Sequence, residues 1–207
     1  MWFSALIAGL VAYMLGNLNG AVCISALMND DVRSHGSGNA GLTNFIRNYG
    51  GGKAMMVVLI DTGKAVLACL AAGLILKPYG YYLEGKVLGG VCLMLGHDFP
   101  ALLGFRGGKG ILSGWFIAWV VDWRVGVMIA IVFFAAYLFT QYVSLGSVLA
   151  ALTFAVGFAL FHFDNLFVVA GGIFMSALTV YMHRGNIQRL IRGEERKTNL
   201  FGKGKKQ

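Results

Sequence analysis

From position 125 to 141 the chain reads VGVMIAIVFFAAYLFTQ, seventeen residues with no charge and none of the amphipathic alternation of a surface helix. Such a segment must satisfy its whole backbone internally while showing apolar side chains on every face, and a helix in a bilayer meets both demands. Comparable blocks fall near 2–24, 54–76, 85–103, 110–122, 145–161 and 165–182, the one at 110–122 being short. With 57% hydrophobic and 13% charged residues in 207, and a mean hydropathy of +0.70, the chain is too apolar for a soluble domain of this length. The short alternating strands of a membrane barrel are absent. The expected fold is an all-α integral membrane protein, a bundle of seven transmembrane helices. No repeat, low-complexity linker or change of composition divides it, so 1–207 reads as one domain ending in a basic tail, 183–207.

Orientation follows from the cations. The formal net charge of +8 is concentrated after position 182, in Arg184, Arg189, Arg192, Arg196, Lys197, Lys203, Lys205 and Lys206. A cytoplasmic tail and seven spans put the N-terminus outside. Arg33, Arg47, Lys53, Arg106 and Lys109 then also fall inside, leaving Lys77, Lys86 and Arg124 outside and Lys64 within a span. The first apolar block has no basic residue ahead of it and no polar cleavage region behind it, so it reads as a retained span. The lipid bilayer is the expected partner; no nucleic acid and no obligate protein partner is implied. Cys23, Cys69 and Cys92 lie in separate apolar segments and are odd in number, which argues against disulfides and against a metal site.

The same topology brings three polar stretches to one membrane face: DVRSHGSGNAGLTNFIRN, GHDFPALLGFRGGKG and HRGNIQRLIRGEERK. Taken singly, each has a structural explanation: glycines for a turn, cations for topology, a tail helix resting on anionic lipid. Together they exceed what the short loops of a compact bundle require. In the first, Gly36, Gly38 and Gly41 let backbone N–H groups turn toward one point, Ser37, Asn39, Thr43 and Asn44 add side-chain groups, and Arg47 adds a bidentate fork. That is an anion cradle. In the second, Gly107, Gly108, Lys109 and Gly110 open a helix whose N-terminal N–H groups favour phosphate. It is not a Walker A loop, because Leu103 and Gly110 stand where glycine and Ser or Thr are needed.

In the third stretch His183 and Asn186 are one turn apart on a helix continuing the last span, where they could orient a hydroxyl or phosphate; alternatively His183 caps that span. His97 precedes Pro100 and reads as a helix-end imidazole satisfying a carbonyl. His35 and His162 read as surface or interface residues. Asp61 and Lys64, at i and i+3 within the second span, form an intramembrane pair that is either functional or a support behind the site. The remaining acidic residues lie mostly at loops and form no catalytic dyad.

The three stretches, in this order and at these separations, resemble the bacterial acyl-phosphate:glycerol-3-phosphate acyltransferases, with similarity over nearly the whole chain. The resemblance implies transfer of a fatty acyl group from acyl phosphate to the 1-hydroxyl of glycerol 3-phosphate, giving 1-acylglycerol 3-phosphate and phosphate. It implies no cofactor, and an active site at the cytoplasmic face of the bacterial inner membrane. By the family pattern Ser37 and Arg47 belong to an essential set, with Asn39 and Thr43 in the same cradle. Lys109 and its glycines resemble a glycerol-phosphate loop, His183 and Asn186 an activity-linked pair, and Glu195 a residue tied to structural integrity. Ser144 follows a short loop that also faces inward. GNLNG at 16–20 stands where many members carry Gly-Ser and a proline, a departure that concerns the packing of the first span.

Two phosphate-bearing substrates repel one another, so several fixed cations and N–H donors must converge where they meet, while the acyl tail stays among the helices. The His-x4-Asp pair of many glycerolipid acyltransferases is missing, because Ala40, Leu102, Phe167 and Gln188 stand five residues after the four histidines. A phosphate oxygen of the donor is therefore the expected proton acceptor. The rival readings are a transporter for a phosphorylated metabolite, which calls for internal repeats and a mid-membrane site, and a lipid-binding scaffold without turnover.

Overall fold

The computed structural model describes residues 1–198, so Lys203, Lys205 and Lys206 of the basic tail lie outside the described residues. Those residues contain helices and no strand. In order they are α1 (Trp2–Asn17), α2 (Gly20–Ala26), α3 (Leu42–Tyr49), α4 (Gly51–Leu76), α5 (Tyr82–Asp98), α6 (Ile111–Val121), α7 (Trp123–Thr140), α8 (Val143–Phe161), α9 (Leu166–Met182) and α10 (Arg184–Ile191). Asn19, Asp122 and Asn165 cap α2, α7 and α9, each side chain accepting a first-turn N–H.

Stretches Gly51–Tyr79, Tyr82–Leu103, Trp123–Thr140 and Val143–Phe161 are each long and apolar enough to cross a membrane. Two bent pairs bring the number to six: α1 with α2, at 44°, and α9 with α10, at 58°. The apolar α6 has 11 residues, which at 1.5 Å per residue reach about 16 Å. That is about half a bilayer core of about 30 Å. The continuous first span expected over 2–24 is therefore broken at Leu18 and Asn19. Likewise, α10 turns away at His183 instead of extending the last span.

The outward faces are apolar: Trp2, Leu67, Ile131, Phe139, Leu160 and Leu166 are all exposed, as lipid contact demands. Inside, Leu93, Met94, Ile117, Phe154, Phe158 and Met175 form the main cluster, and Ile24, Val32, Phe45 and Val57 a second one beneath the first polar loop. Helices approach through small residues, since bilayer helices gain little from burying one apolar surface against another. Where α1 crosses α5, a Cβ added at Gly96 would lie 2.1 Å from the Tyr13 carbonyl oxygen. This close crossing holds the ends of α1 and α5 together, and the second polar stretch is tied to it by the Leu102 N–H donating to Asn17 Oδ1 at 3.0 Å.

Candidate active site

One cavity of about 350 Å³ opens among α3, α4, α6, α7, α8 and α10, and residues of all three polar stretches line it. Ser37, Asn39, Gly41, Thr43, Asn44 and Arg47 come from the first, His97, Lys109 and Gly110 from the second, and His183, Asn186 and Glu195 from the third. Asp61 and Ser144 also reach it. Of the other residues singled out from the sequence, Gly36, Gly38, Gly107, Gly108 and Lys64 are not among the lining residues.

The loop at 36–41 is organised by Asn44, whose side chain is buried. Its Nδ2 donates to the carbonyls of Val32, His35 and Asn39 at 3.0–3.1 Å, and its Oδ1 accepts the Ser37 N–H at 3.0 Å. Asn44 is thus the frame of the loop. The loop N–H groups are engaged internally as well: Gly38 N–H with His35 O, Gly41 N–H with Asn39 O, and Gly108 N–H with His97 O. Ser37, Gly38, Gly41 and Gly108 N–H groups are thus taken up within the fold, and two helix starts bring further N–H groups to the cavity. Leu42 and Thr43 open α3, Ile111 and Leu112 open α6, and all four line the cavity. First-turn N–H groups have no intrahelical acceptor and favour negative charge.

At the polar end Lys109 Nζ donates to Asn186 Oδ1, Asn186 Nδ2 donates to Glu195 Oε1 at 2.8 Å, and Arg189 Nε donates to Glu195 Oε2 at 2.7 Å. Arg47 lies alongside and donates through Nη2 to the Thr198 hydroxyl and, at 3.3 Å, to the Arg196 carbonyl. Thr198 is itself held, its N–H by Gln141 O and its carbonyl by the Tyr137 hydroxyl, both within 3.1 Å. Residues 195–198 thus form a strap along the cavity mouth. His183, buried, donates through Nδ1 to Thr179 O at 2.8 Å. A carbonyl can only accept, so the neutral ring keeps Nε2 as an acceptor.

Charge at this end is unbalanced. Arg47, Lys109 and Arg189 face one carboxylate, Glu195. Burial, reinforced by Arg189, pushes the Lys109 ammonium down to about 8. Burial also lowers the Arg47 guanidinium, with Glu195 opposing and Arg196 and Arg189 adding to it. Burial would raise the Glu195 carboxyl, but hydrogen bonds from Asn186 and Arg189 outweigh it and hold the group below its ordinary value. Desolvated cations in excess define a site for an anion.

Asp61 and Lys64 do pair, at 2.9 Å with both side chains buried. The expected carbonyl partner of His97 is not found: its Nδ1 lies 2.7 Å from Lys64 Nζ. Lys64 takes the carbonyls instead, Leu18 O at 2.6 Å and Gly16 O at 3.4 Å, which the break between α1 and α2 leaves without helical donors. The helix break within GNLNG therefore supplies the acceptors for a buried lysine.

The other end of the cavity is apolar, with Leu112, Trp115, Ile129, Phe133, Phe134 and Val143 forming a slot. These residues lie within spans and cannot be told from core in the sequence. In the sequence Arg189 reads as a topology cation, although its place three residues after Asn186 puts both on one helix face. Thr198 carried no signal at all.

The glycerol-3-phosphate acyltransferase family model matches residues 6–193. A glycerol-3-phosphate acyltransferase of Clostridioides difficile (strain 630) is 36% identical, covering 94% of this chain and 96% of its own. One from Paraburkholderia xenovorans (strain LB400) is 37% identical, covering 92% and 89%. Among solved structures, the glycerol 3-phosphate form of PlsY (YgiH), described as an integral membrane glycerol 3-phosphate acyltransferase, superposes with a TM-score of 0.86 at 31% identity, over 95% of this chain and 96% of that one. Its lysophosphatidic acid form gives 0.83. With its three polar stretches meeting at one cationic cavity and a family match over almost its full length, this chain belongs to the glycerol-3-phosphate acyltransferase family.

Proposed function

We infer that this protein transfers a fatty acyl group from acyl phosphate to the 1-hydroxyl of glycerol 3-phosphate, yielding 1-acylglycerol 3-phosphate and inorganic phosphate in phospholipid synthesis. One observation carries the reading: a single cavity joins an excess of desolvated cations to an apolar slot, which suits a phosphate and an acyl chain in one site. The hydroxyl oxygen of glycerol 3-phosphate attacks the anhydride carbonyl, the bond from carbonyl carbon to phosphate oxygen breaks, and the departing phosphate takes the hydroxyl proton. Arg47, Lys109 and Arg189 offset the charge of the two phosphates, and the starts of α3 and α6 add N–H donors. His183 Nε2, as an acceptor, orients the attacking hydroxyl; Ser37, Asn39 and Thr43 hold the donor phosphate; the Ser144 hydroxyl, lining the cavity, contacts substrate; and Glu195 keeps Asn186 and Arg189 in place.

The seventh crossing is assigned to α6, short and apolar, alongside the four long spans and the two bent pairs. An external N-terminus and a cytoplasmic tail follow from the cation distribution and place the cavity mouth at the cytoplasmic face of the inner membrane. Purified protein in detergent should release inorganic phosphate from palmitoyl phosphate only when glycerol 3-phosphate is present. Release without the acceptor, or none with both substrates, contradicts this function. A transporter finds no support in this architecture.

A further inference from the structure

The buried group around Lys64 is not accounted for by the roles above. Lys64 Nζ has acceptors on every side: Asp61 Oδ1 at 2.9 Å, Leu18 O at 2.6 Å, Gly16 O at 3.4 Å and His97 Nδ1 at 2.7 Å. Asp61 Oδ1 also accepts the Gly20 N–H at 3.1 Å. An ammonium beside a carboxylate has three protons and no lone pair, so toward His97 it can only donate. His97 Nδ1 is then the acceptor, and the ring proton sits on Nε2.

That proton has no partner among the described residues, although His97 is only 4% exposed. His97 lines the cavity, and its Nε2 abuts the backbone just ahead of Lys109: a Cβ added at Gly108 would lie 2.1 Å from it. An N–H donor that faces the phosphate end of the cavity with no protein acceptor is free to meet an acceptor that a ligand brings.

We propose that the Asp61–Lys64 pair fixes His97 in its Nε2–H tautomer, and that His97 Nε2–H donates to an anionic phosphate oxygen beside Gly108. His97 is then a substrate-touching residue, and Asp61 and Lys64 are positioning residues acting through it. The two site histidines thereby take opposite tautomers: His183, held by a carbonyl, presents an acceptor, while His97, held by an ammonium, presents a donor. The carboxylate and ammonium are matched, so the pair orients the ring without adding net charge to a site already rich in cations. The inference rests on the acyltransferase reading of this cavity.

The test uses protein labelled with 15N-histidine in nanodiscs, the His97 resonances being identified by their loss in His97→Gln. The wild type should show a neutral His97 ring protonated at Nε2. Glycerol 3-phosphate in one arm, or an acyl phosphonate isosteric with the donor in the other, should shift that resonance, and the arm that responds identifies the phosphate. A ring protonated at Nδ1, or an Nε2–H unmoved in both arms while the same preparation transfers acyl groups, overturns the proposal. A preparation that transfers no acyl groups contradicts the acyltransferase reading itself. The paired replacement Asp61→Asn with Lys64→Met removes the lock without stranding one charge. Where it folds, it should mix the tautomers and lower kcat/KM about 10- to 100-fold, the usual cost of releasing a group that orients a site residue. Retention of kcat/KM with an unchanged tautomer overturns the positioning role, and the wild-type spectrum decides the proposal if the variant does not fold.

Discussion

At the scale of single residues, the account assigns most of the phosphate recognition to Arg47 and Lys109. Arg47→Ala and Lys109→Ala should each remove about 2–4 kcal/mol of transition-state stabilisation, roughly 30- to 1000-fold in kcat/KM, in protein that still folds. Near-normal turnover in both would reduce these cations to a topological role. The pH dependence has a definite sign. Burial lowers Lys109 to about 8, and its cationic form binds phosphate, so kcat/KM should fall as pH rises through about 8. Bound phosphate brings opposite charge and raises that value in the complex, so kcat should hold to higher pH than kcat/KM. Coincident profiles would mean that another group is being read. Gly108→Ala should push the His97 ring aside and, since displacement by about 1 Å can cost 10²-fold, lower kcat/KM strongly while leaving the spans folded. The cations and the His183–Asn186 spacing were legible in the sequence because few polar residues occur in so apolar a chain. Lys64 lies 33 residues from His97, and its tie to that ring depends on how α4, α5 and the break after α1 pack, which no local pattern records.

At the scale of elements, apolar length located every long helix, because backbone satisfaction in lipid leaves little choice. The bend at Leu18 and Asn19 escaped notice for the same reason: residues 2–24 are apolar on both sides of it. Asn19 sets the bend. It is fully buried, its Oδ1 accepts the Val22 N–H at 3.0 Å, and its Nδ2 donates to Ala40 O at 2.9 Å, tying α2 to the first polar loop. Asn19→Ala loses the cap and strands the Ala40 carbonyl. It should cost about 2–4 kcal/mol, seen as a lower thermal midpoint in detergent, together with weaker glycerol 3-phosphate binding. A midpoint unchanged from wild type would separate the bend from Asn19. Of the strap at 195–198, Glu195 is marked in the sequence by the family resemblance, whereas Thr198 is not, because only the folded chain brings it to Arg47 and Tyr137.

At the scale of the whole molecule, the orientation proposed from the cation distribution puts the cavity where a soluble acceptor and a lipid-borne donor meet. A cysteine placed at Asn48 should be shielded from an impermeant thiol reagent in intact cells, and one at Tyr81 should react; labelling at 48 would invert the topology. The proposed removal of the proton by the donor's own phosphate rests on the absence of a His-x4-Asp pair and on the engagement of Asp61 and Glu195 with fixed partners. The most direct test follows from this: purified protein is given glycerol 3-phosphate with either palmitoyl phosphate or palmitoyl-coenzyme A, and 1-acylglycerol 3-phosphate is measured. The account predicts product, with stoichiometric phosphate, from the acyl phosphate alone. Efficient turnover of the thioester, or none of the acyl phosphate, would contradict it.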